Sequence, residues 1–214
     1  RGLGDVYKRQ VFNPNVEENI EFAKKIGLNT SRIYKDFETL IEEESKLHSD
    51  QRIQVVSVLT PNFLHYPMAK KLLENDFHVI CEKPLTTTYD EALDLYKIQK
   101  EKNAVFAVTH TYTGYPMVRQ MTKMIAEGII GNIQRVDAQY LQGWLNPIIH
   151  DKDKRSSTWR LDPEKSGSSC CLGDIGTHAF NMVELVTGMK VEKLLADLNT
   201  CLLYTSPSPR DSIR

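Results

Sequence analysis

The first half of the chain alternates two patterns of hydrophobic and polar positions. Four amphipathic stretches repeat their apolar residues at helical spacing: 16–26, 36–47, 63–74 and 90–102. Three short runs rich in β-branched residues have the length of buried strands: 53–59, 78–81 and 104–109. Helices and strands that alternate in this order predict βαβ units, right-handed crossovers and a doubly wound parallel sheet.

The first two predicted helices carry their own boundary signals. In the first, Ile20, Ala23 and Ile26 share one face, and Gly27 follows as a C-terminal cap would. In the second, Asp36 stands where an N-cap is expected. Both helices are therefore expected to be amphipathic and to pack on a sheet.

After the third predicted strand the pattern changes. A helix is predicted over 117–126, the alternation over 133–141 is typical of an antiparallel strand, and residues 143–169 are polar, aromatic and loop-like. This change of style predicts a domain boundary near residues 110–116, with α/β architecture before it and α+β architecture after it.

The two ends of the chain follow neither pattern. Gly2 and Gly4 are spaced like the first glycines of a dinucleotide-binding loop, but Tyr7 stands at the third position and no hydrophobic strand precedes them. Back-translated, both ends resemble the two orientations of one transposon-end adaptor used in sequencing libraries. We therefore expect adaptor-derived residues over 1–10 and 201–214; a natural disordered tail is the alternative.

The composition of the chain limits the classes of binding partner that are expected. The chain has 27 basic and 28 acidic residues, for a net charge of −1. This balance lacks the concentrated positive charge that nucleic acid or an anionic membrane requires, so neither partner is expected. With Cys201 set aside, Cys81, Cys170 and Cys171 form a poor disulfide framework, which favours a reducing cytoplasm.

Two motifs follow predicted strands, at the edge where open α/β sheets bind ligands. They are Thr60-Pro61-Asn62 with His65, and Cys81-Glu82-Lys83-Pro84. A lysine just past a buried strand and stiffened by a proline can be desolvated enough to exchange a proton near neutral pH. A solvated Lys-Pro turn is the alternative interpretation.

A third motif pairs a carboxylate with an imidazole. A helix that begins at Asp174 would place Asp174 and His178 on one face, where the carboxylate would orient the ring for acid–base work. Alternatively, Asp174 is only an N-cap and His178 a buried histidine with satisfied hydrogen bonds. The spacing of Cys170, Cys171 and His178 fits no common zinc pattern, so no metal site is expected.

These motifs lie in segments with a family resemblance. VSVLTPNFLHYPMAKKLLENDFHVICEKPL and GDIGTHAFNMVELVTG resemble the glucose-fructose oxidoreductase, inositol dehydrogenase and rhizopine catabolism family, abbreviated Gfo/Idh/MocA. The resemblance extends over nearly all of residues 11–200. It implies a partial Rossmann domain for NAD or NADP over 11–112, and over 113–200 the start of a substrate and oligomerisation domain with an open, mostly antiparallel sheet.

The resemblance also implies roles for individual residues. The catalytic group would be Lys83, Asp174 and His178. The cofactor would lie against Thr60, Pro61, Asn62, His65, Glu82, Lys83, Trp159 and Arg160. In the oxidation direction, His178 would remove the hydroxyl proton as hydride leaves the same carbon, Lys83 would hydrogen-bond that oxygen, and Asp174 would orient His178.

A departure from the family pattern limits the class of substrate that is expected. Where many relatives have His-Asn-Tyr-Arg, this chain has His110-Thr111-Tyr112-Thr113. THTYTGYPMVRQ and QGWL resemble a subgroup that includes levoglucosan dehydrogenase-like proteins, which implies a sugar, anhydrosugar or polyol with a ring hydroxyl. The expected substrate contacts are Lys83, Tyr112, Tyr115, Trp144 and His178, although the aromatic residues could instead belong to the core.

The cofactor is expected to be NAD or NADP, with NAD preferred, because Phe12-Asn13 offers neither the acidic residue nor the arginine that would decide between them. The first strand and the glycine loop are expected to be missing, so this chain would bind cofactor poorly and be inactive. The complete protein is expected to be a cytoplasmic homo-oligomer. A nicotinamide-binding sensor without catalysis is the alternative function.

Overall fold

The computed structural model describes residues 16–27, 30–149 and 151–198. The predicted adaptor segments, Cys201 and Phe12-Asn13 lie outside this part of the chain. All four predicted helices of the first half are present: α1 (Val16–Lys25), α2 (Phe37–Ser45), α3 (His65–Glu74) and α4 (Tyr89–Lys102).

The predicted caps are confirmed. Asp36 precedes α2 and its carboxylate accepts a 2.7 Å hydrogen bond from the backbone N–H of Thr39. Gly27 follows α1 with a φ of +71°. The packing face of α1 differs from the prediction, because Asn19 and Ala23 are buried whereas Ile26 is 47% exposed. The α1 helix ends before Ile26, which removes that residue from the helical face.

Three strands form a parallel sheet in the order β1 (Val55–Val58), β2 (His78–Glu82) and β3 (Phe106–Thr109). Val56 pairs with Val79, and Val79 with Phe106. Each crossover contains one helix, α3 or α4, which confirms the βαβ prediction. The carboxyl ends of all three strands therefore lie along one edge.

The core of this sheet lies on one face. Alternate residues of β2, Val79 and Cys81, are buried, while His78, Ile80 and Glu82 between them are only partly covered. The buried residues pack with apolar side chains of the helices and their loops: Phe37, Leu40, Ile41, Leu72, Leu73, Phe77 and Leu95. Within the described residues the two faces are thus unequally covered, and the doubly wound arrangement stays a prediction.

A buried ionic network connects α2 to the segment that precedes β1. The carboxylate of Glu44 is fully buried and accepts hydrogen bonds from the Arg32 guanidinium, the Tyr34 hydroxyl and the backbone N–H of Ile53. Burial acts to raise the pKa of Glu44, but these hydrogen bonds and the positive charge of Arg32 outweigh it and lower the pKa. The charged form of Glu44 is therefore part of the folded state.

The chain divides into two compact units. Of the described residues, the first unit takes those up to Thr109 together with Pro163–Gly173, and the second takes His110–Asp162 and the residues from Asp174 onward. The return of Pro163–Gly173 to the first unit was not predicted from the sequence. Its short helix is α8 (Pro163–Ser166).

The second unit is helical in its described residues. Its helices are α5 (Pro116–Ala126), α6 (Asn146–Ile149), α7 (Lys152–Ser157) and α9 (Thr177–Thr187). The helix predicted over 117–126 is confirmed, whereas residues 143–169 contain helical turns instead of the predicted loop. The strand predicted over 133–141 is wrong for the described chain, because a strand requires a hydrogen-bonded neighbour and no described segment pairs with it.

Over the described residues, no helix combines the length and the apolar character needed to cross a membrane.

Candidate functional site

In the first unit, the candidate residues follow β1 and β2 and are tied together by His65. This imidazole is fully buried at the start of α3. Its Nε2 lies 2.7 Å from the backbone oxygen of Thr60, and its Nδ1 lies 2.8 Å from the backbone oxygen of Pro84. His65 thus joins the loop after β1 to the loop after β2 and fixes their spacing, which makes it a positioning residue for this edge.

The carboxylate of Glu82 is held by the neighbouring strand. Its Oε1 accepts a 2.6 Å hydrogen bond from the hydroxyl of Thr109, the last residue of β3, and its Oε2 accepts one of 3.1 Å from the backbone N–H of Lys83. Lys83 follows directly and is half-buried. Thr109 was missed from the sequence, although its place at the end of β3 follows from the parallel order of the strands.

The loop after β1 contributes a hydroxyl and an amide. Thr60 Oγ1 is buried and has no hydrogen-bond partner among the described residues. The neighbouring Asn62 is buried and donates a 2.8 Å hydrogen bond to the backbone oxygen of Ser166. Asn62 therefore holds the returning segment Pro163–Gly173 on this loop.

In the second unit, His178 lies at the start of α9. The backbone over Leu172–Gly176 forms a π-helical turn, and α9 begins only at Thr177. Asp174 therefore lies in the turn and not at the N-terminus of the helix, which differs from the prediction. Single π-helical turns are frequent at functional sites. His178 is 8% exposed.

Three aromatic rings surround His178 within the second unit. Tyr112 lies closest, with a centroid separation of 4.5 Å, followed by His110 at 5.8 Å and Tyr140 at 6.2 Å. The hydroxyls of Tyr112 and Tyr140 are hydrogen-bonded to each other. That hydrogen bond, with smaller effects of burial and of the negative charge of Asp174, raises the pKa of Tyr112. Tyr112 therefore keeps its proton at neutral pH.

The remaining candidate residues of the second unit differ in their contact with this aromatic cluster. Tyr115 touches the edge of Tyr112 at 5.9 Å and is 52% exposed. The indole N–H of Trp144 donates to Gln142, and among the described rings Trp144 makes no aromatic contact with the cluster. Arg160 lies over the ring of Trp159 at 4.4 Å.

Two members of the aromatic cluster were missed as site residues. Tyr140 was assigned only to a predicted strand, and His110 only to a departure from the family pattern. No sequence signal joined them to His178, because their proximity depends on the packing of α9 against the turn Thr111–Gly114. The described residues contain no group of three or more His, Cys, Asp or Glu side chains placed to hold a metal ion.

Two family models match consecutive parts of the chain. The one described as "Oxidoreductase family, NAD-binding Rossmann fold" matches residues 8–110, and the one described as "GFO/IDH/MocA C-terminal domain" matches residues 118–205. The chain belongs to the Gfo/Idh/MocA oxidoreductase family. The resemblance identified in the sequence is confirmed, as are the Rossmann-type first domain and the presence of a second domain.

Similar Gfo/Idh/MocA proteins include enzymes with known ligands. Levoglucosan dehydrogenase of Pseudarthrobacter phenanthrenivorans is 34% identical over 182 residues, which are 85% of this chain and 43% of that protein. The crystal structure of an inositol dehydrogenase homologue from Azotobacter vinelandii, complexed with NAD⁺, matches with a TM-score of 0.73 and 36% identity over 83% of this chain and 45% of that one.

A second similar structure is levoglucosan dehydrogenase in complex with NADH and levoglucosan, with a TM-score of 0.71 and 33% identity over 86% of this chain and 45% of that chain. The chain spans less than half the length of these three relatives.

Proposed function

We propose that the complete protein is an NAD(P)-dependent dehydrogenase that transfers a hydride between nicotinamide and a hydroxyl or ketone of a sugar, anhydrosugar or polyol. One observation carries the proposal. The carboxyl edge of a parallel Rossmann-type sheet gathers Thr60, Glu82, Lys83 and Thr109, and this edge is where open α/β sheets bind dinucleotides.

The first unit has groups suited to hold a nicotinamide nucleotide. The unpaired hydroxyl of Thr60 can bond a ribose or amide group, and the carboxylate of Glu82 is already oriented by Thr109. When bound, the cofactor supplies the hydride acceptor and donor. NAD is the preferred form, supported by the NAD⁺ and NADH bound in the two similar structures.

Lys83 is the proposed polar group of the first unit toward the substrate oxygen. It follows β2 directly, its backbone is held by the carboxylate of Glu82, and its side chain is half-buried. An ammonium group in that setting donates a hydrogen bond to a hydroxyl and stabilises the negative charge that develops as the proton departs.

His178 is the proposed proton acceptor in the second unit. It is nearly buried, and the rings of Tyr112 and His110 restrict its orientation. Asp174, in the turn that precedes α9, supplies negative charge on this side of the second unit. A carboxylate of this kind favours the imidazolium that forms when His178 takes a proton.

The substrate class follows from the aromatic cluster and from the relatives. The hydrogen-bonded hydroxyls of Tyr112 and Tyr140 offer both donors and acceptors beside flat apolar rings, a combination that suits a sugar or cyclic polyol. The levoglucosan and inositol named for the similar proteins belong to this class.

The proposal is tested with the complete protein and a panel that contains levoglucosan, myo-inositol and common hexoses and pentoses. Each compound is incubated with NAD⁺ or NADP⁺, and the absorbance of the reduced nicotinamide is followed. Turnover of at least one cyclic compound is expected. Clear binding of the cofactor without turnover of any compound would favour a sensor and overturn the proposed activity.

A further inference from the structure

Two cysteines that are adjacent in the sequence, Cys170 and Cys171, have no role in the function proposed above. Cys170 and Cys171 are exposed, whereas Cys81 is fully buried in the core of the first unit. Thiol chemistry requires access to the reagent and a thiolate. Burial, aided by the charge of Glu82, raises the pKa of Cys81 to about 12, which leaves almost no thiolate at neutral pH. Of the cysteines in the described chain, the two exposed ones are therefore those that a thiol reagent can reach.

The backbone at this pair is unusual. Cys170 has a φ of +38°, in the left-handed region that residues other than glycine rarely adopt. Its N–H donates to the backbone oxygen of Gly167 at 3.3 Å, and the N–H of Leu172 donates to that of Ser169 at 2.9 Å. Strained backbone of this kind persists where the surrounding structure imposes it, and it is concentrated at functional sites.

We propose that Cys170 and Cys171 form a reversible oxidation site, at which a small-molecule disulfide converts the two thiols into a disulfide between adjacent residues. In the first step, the thiolate of one cysteine attacks a sulfur of R–S–S–R. The S–S bond of the reagent breaks, and the leaving R–S⁻ takes up the proton that the cysteine released. The product is a mixed disulfide on the protein.

In the second step, the neighbouring thiolate attacks the cysteine sulfur of the mixed disulfide. The second R–S⁻ leaves and is protonated, and the bond between Cys170 and Cys171 forms. The two protein thiols together lose two electrons and two protons, and one R–S–S–R is reduced to two R–SH. Atoms and electrons therefore balance with the disulfide reagent as the only oxidant.

The bond between adjacent residues is expected to be easily reduced. Consecutive Cα atoms lie about 3.8 Å apart across a trans peptide, whereas disulfides usually span roughly 4.4–6.8 Å between Cα atoms. A disulfide outside this range is strained, and strained disulfides are the labile ones. Cys171 directly precedes the Leu172–Gly176 turn, which contains Asp174. The oxidation state of the pair is therefore expected to affect the conformation of that turn.

The first test measures reactivity in the chain with Cys201→Ser, which removes the cysteine outside the described residues. Ellman's reagent is added to the folded protein, and the modified cysteines are identified by peptide mass. Cys170 and Cys171 are expected to react about a hundredfold or more faster than Cys81. Equal rates for all three cysteines in the folded protein would overturn the assignment of the pair as the reactive thiols.

The second test identifies the product. The same protein is incubated with oxidised glutathione, the remaining thiols are trapped with iodoacetamide, and the peptide that contains residues 170–171 is weighed. A loss of two hydrogen atoms, restored by dithiothreitol, is expected. The matched variants Cys170→Ser and Cys171→Ser are expected to stop at a glutathione adduct. Thiols that remain alkylatable, or a stable glutathione adduct on the intact pair, would contradict the proposal.

Discussion

The side-chain amide of Asn62 donates a 2.8 Å hydrogen bond to the backbone oxygen of Ser166, although 104 positions separate the two residues. Both residues are buried, with 6% and 5% of their surface exposed. This bond connects the loop after β1 to the segment that returns to the first unit late in the sequence.

Asn62→Ala is expected to loosen that returning segment, because it removes the buried side-chain hydrogen bond from Asn62 to the Ser166 carbonyl. The cost should be about 1–3 kcal/mol of stability. Amide hydrogen exchange over Pro163–Gly173 should accelerate. Asn132→Ala, at an exposed position, is the matched control and should leave that exchange unchanged. Unaltered protection of Pro163–Gly173 in Asn62→Ala would show that the hydrogen bond does not hold the segment.

Glu44→Gln is expected to destabilise the first unit by about 2–4 kcal/mol, since it removes the charge that Arg32 pairs with in a buried site. The pKa of Glu44 is lowered in the folded state, so its contribution is present above the unfolded pKa of about 4.3 and is lost as the pH falls through the folded pKa. Unfolding by urea at neutral and acid pH measures both effects.

The exposed Glu43 provides the control for this experiment, because its carboxylate pairs with Lys46 on the surface. Glu43→Gln should change the stability by less than about 1 kcal/mol. If Glu44→Gln and wild type lost stability in parallel as the pH fell below 5, with the same difference between them throughout, the buried carboxylate would not be the source of acid sensitivity.

Gly167→Ala is expected to cost about 1–2 kcal/mol, because Gly167 has a φ of +87°, a conformation that disfavours a side chain. An added Cβ would also lie 3.3 Å from the Cβ of Thr87. Gly114→Ala is the control, since no atom lies within 4 Å of its added Cβ. Thermal unfolding compares the two variants, and an equal melting temperature would refute the structural requirement for glycine at 167.

Tyr140→Phe is expected to lower the pKa of Tyr112 toward the ordinary value of about 10, because the hydrogen bond between the two hydroxyls is the main cause of the raised pKa. A pH titration followed by NMR of labelled tyrosine rings measures the change. Tyr89→Phe, at an exposed residue of α4, should leave the titration of Tyr112 unaltered. A Tyr112 pKa unaffected by Tyr140→Phe would mean that the two hydroxyls do not interact in solution.

The fold of the first unit could be predicted because its signals are local. Residue periodicity located α2 to α4 and the three strands, and Asp36 acts as the predicted cap. The strand over 133–141 could not be judged in this way, because alternation permits a strand but a partner is needed to form one. The return of Pro163–Gly173 depends on contacts such as Asn62 to Ser166, which are too distant in sequence to infer.

The candidate site was predictable to the extent that it follows from strand order. Motifs at the ends of β1 and β2 had to lie on one edge, so Thr60 and Lys83 were identified from the sequence. The structural role of His65 could not be predicted, since only the structure reveals that both ring nitrogens face backbone oxygens. The wide turn before α9 was also hidden, because a glycine-rich segment is compatible with several helix starts.

The most direct test of the proposed dehydrogenase compares Lys83→Ala with Lys97→Ala in the complete protein. Lys97 is an exposed lysine of α4 and is expected to have no role in turnover. With a compound that wild type oxidises, Lys83→Ala should reduce kcat by about a hundredfold or more, as is typical for a positioned acid–base group. Lys97→Ala should match wild type. A Lys83→Ala rate within a few fold of wild type would contradict the assignment of this edge as the active site.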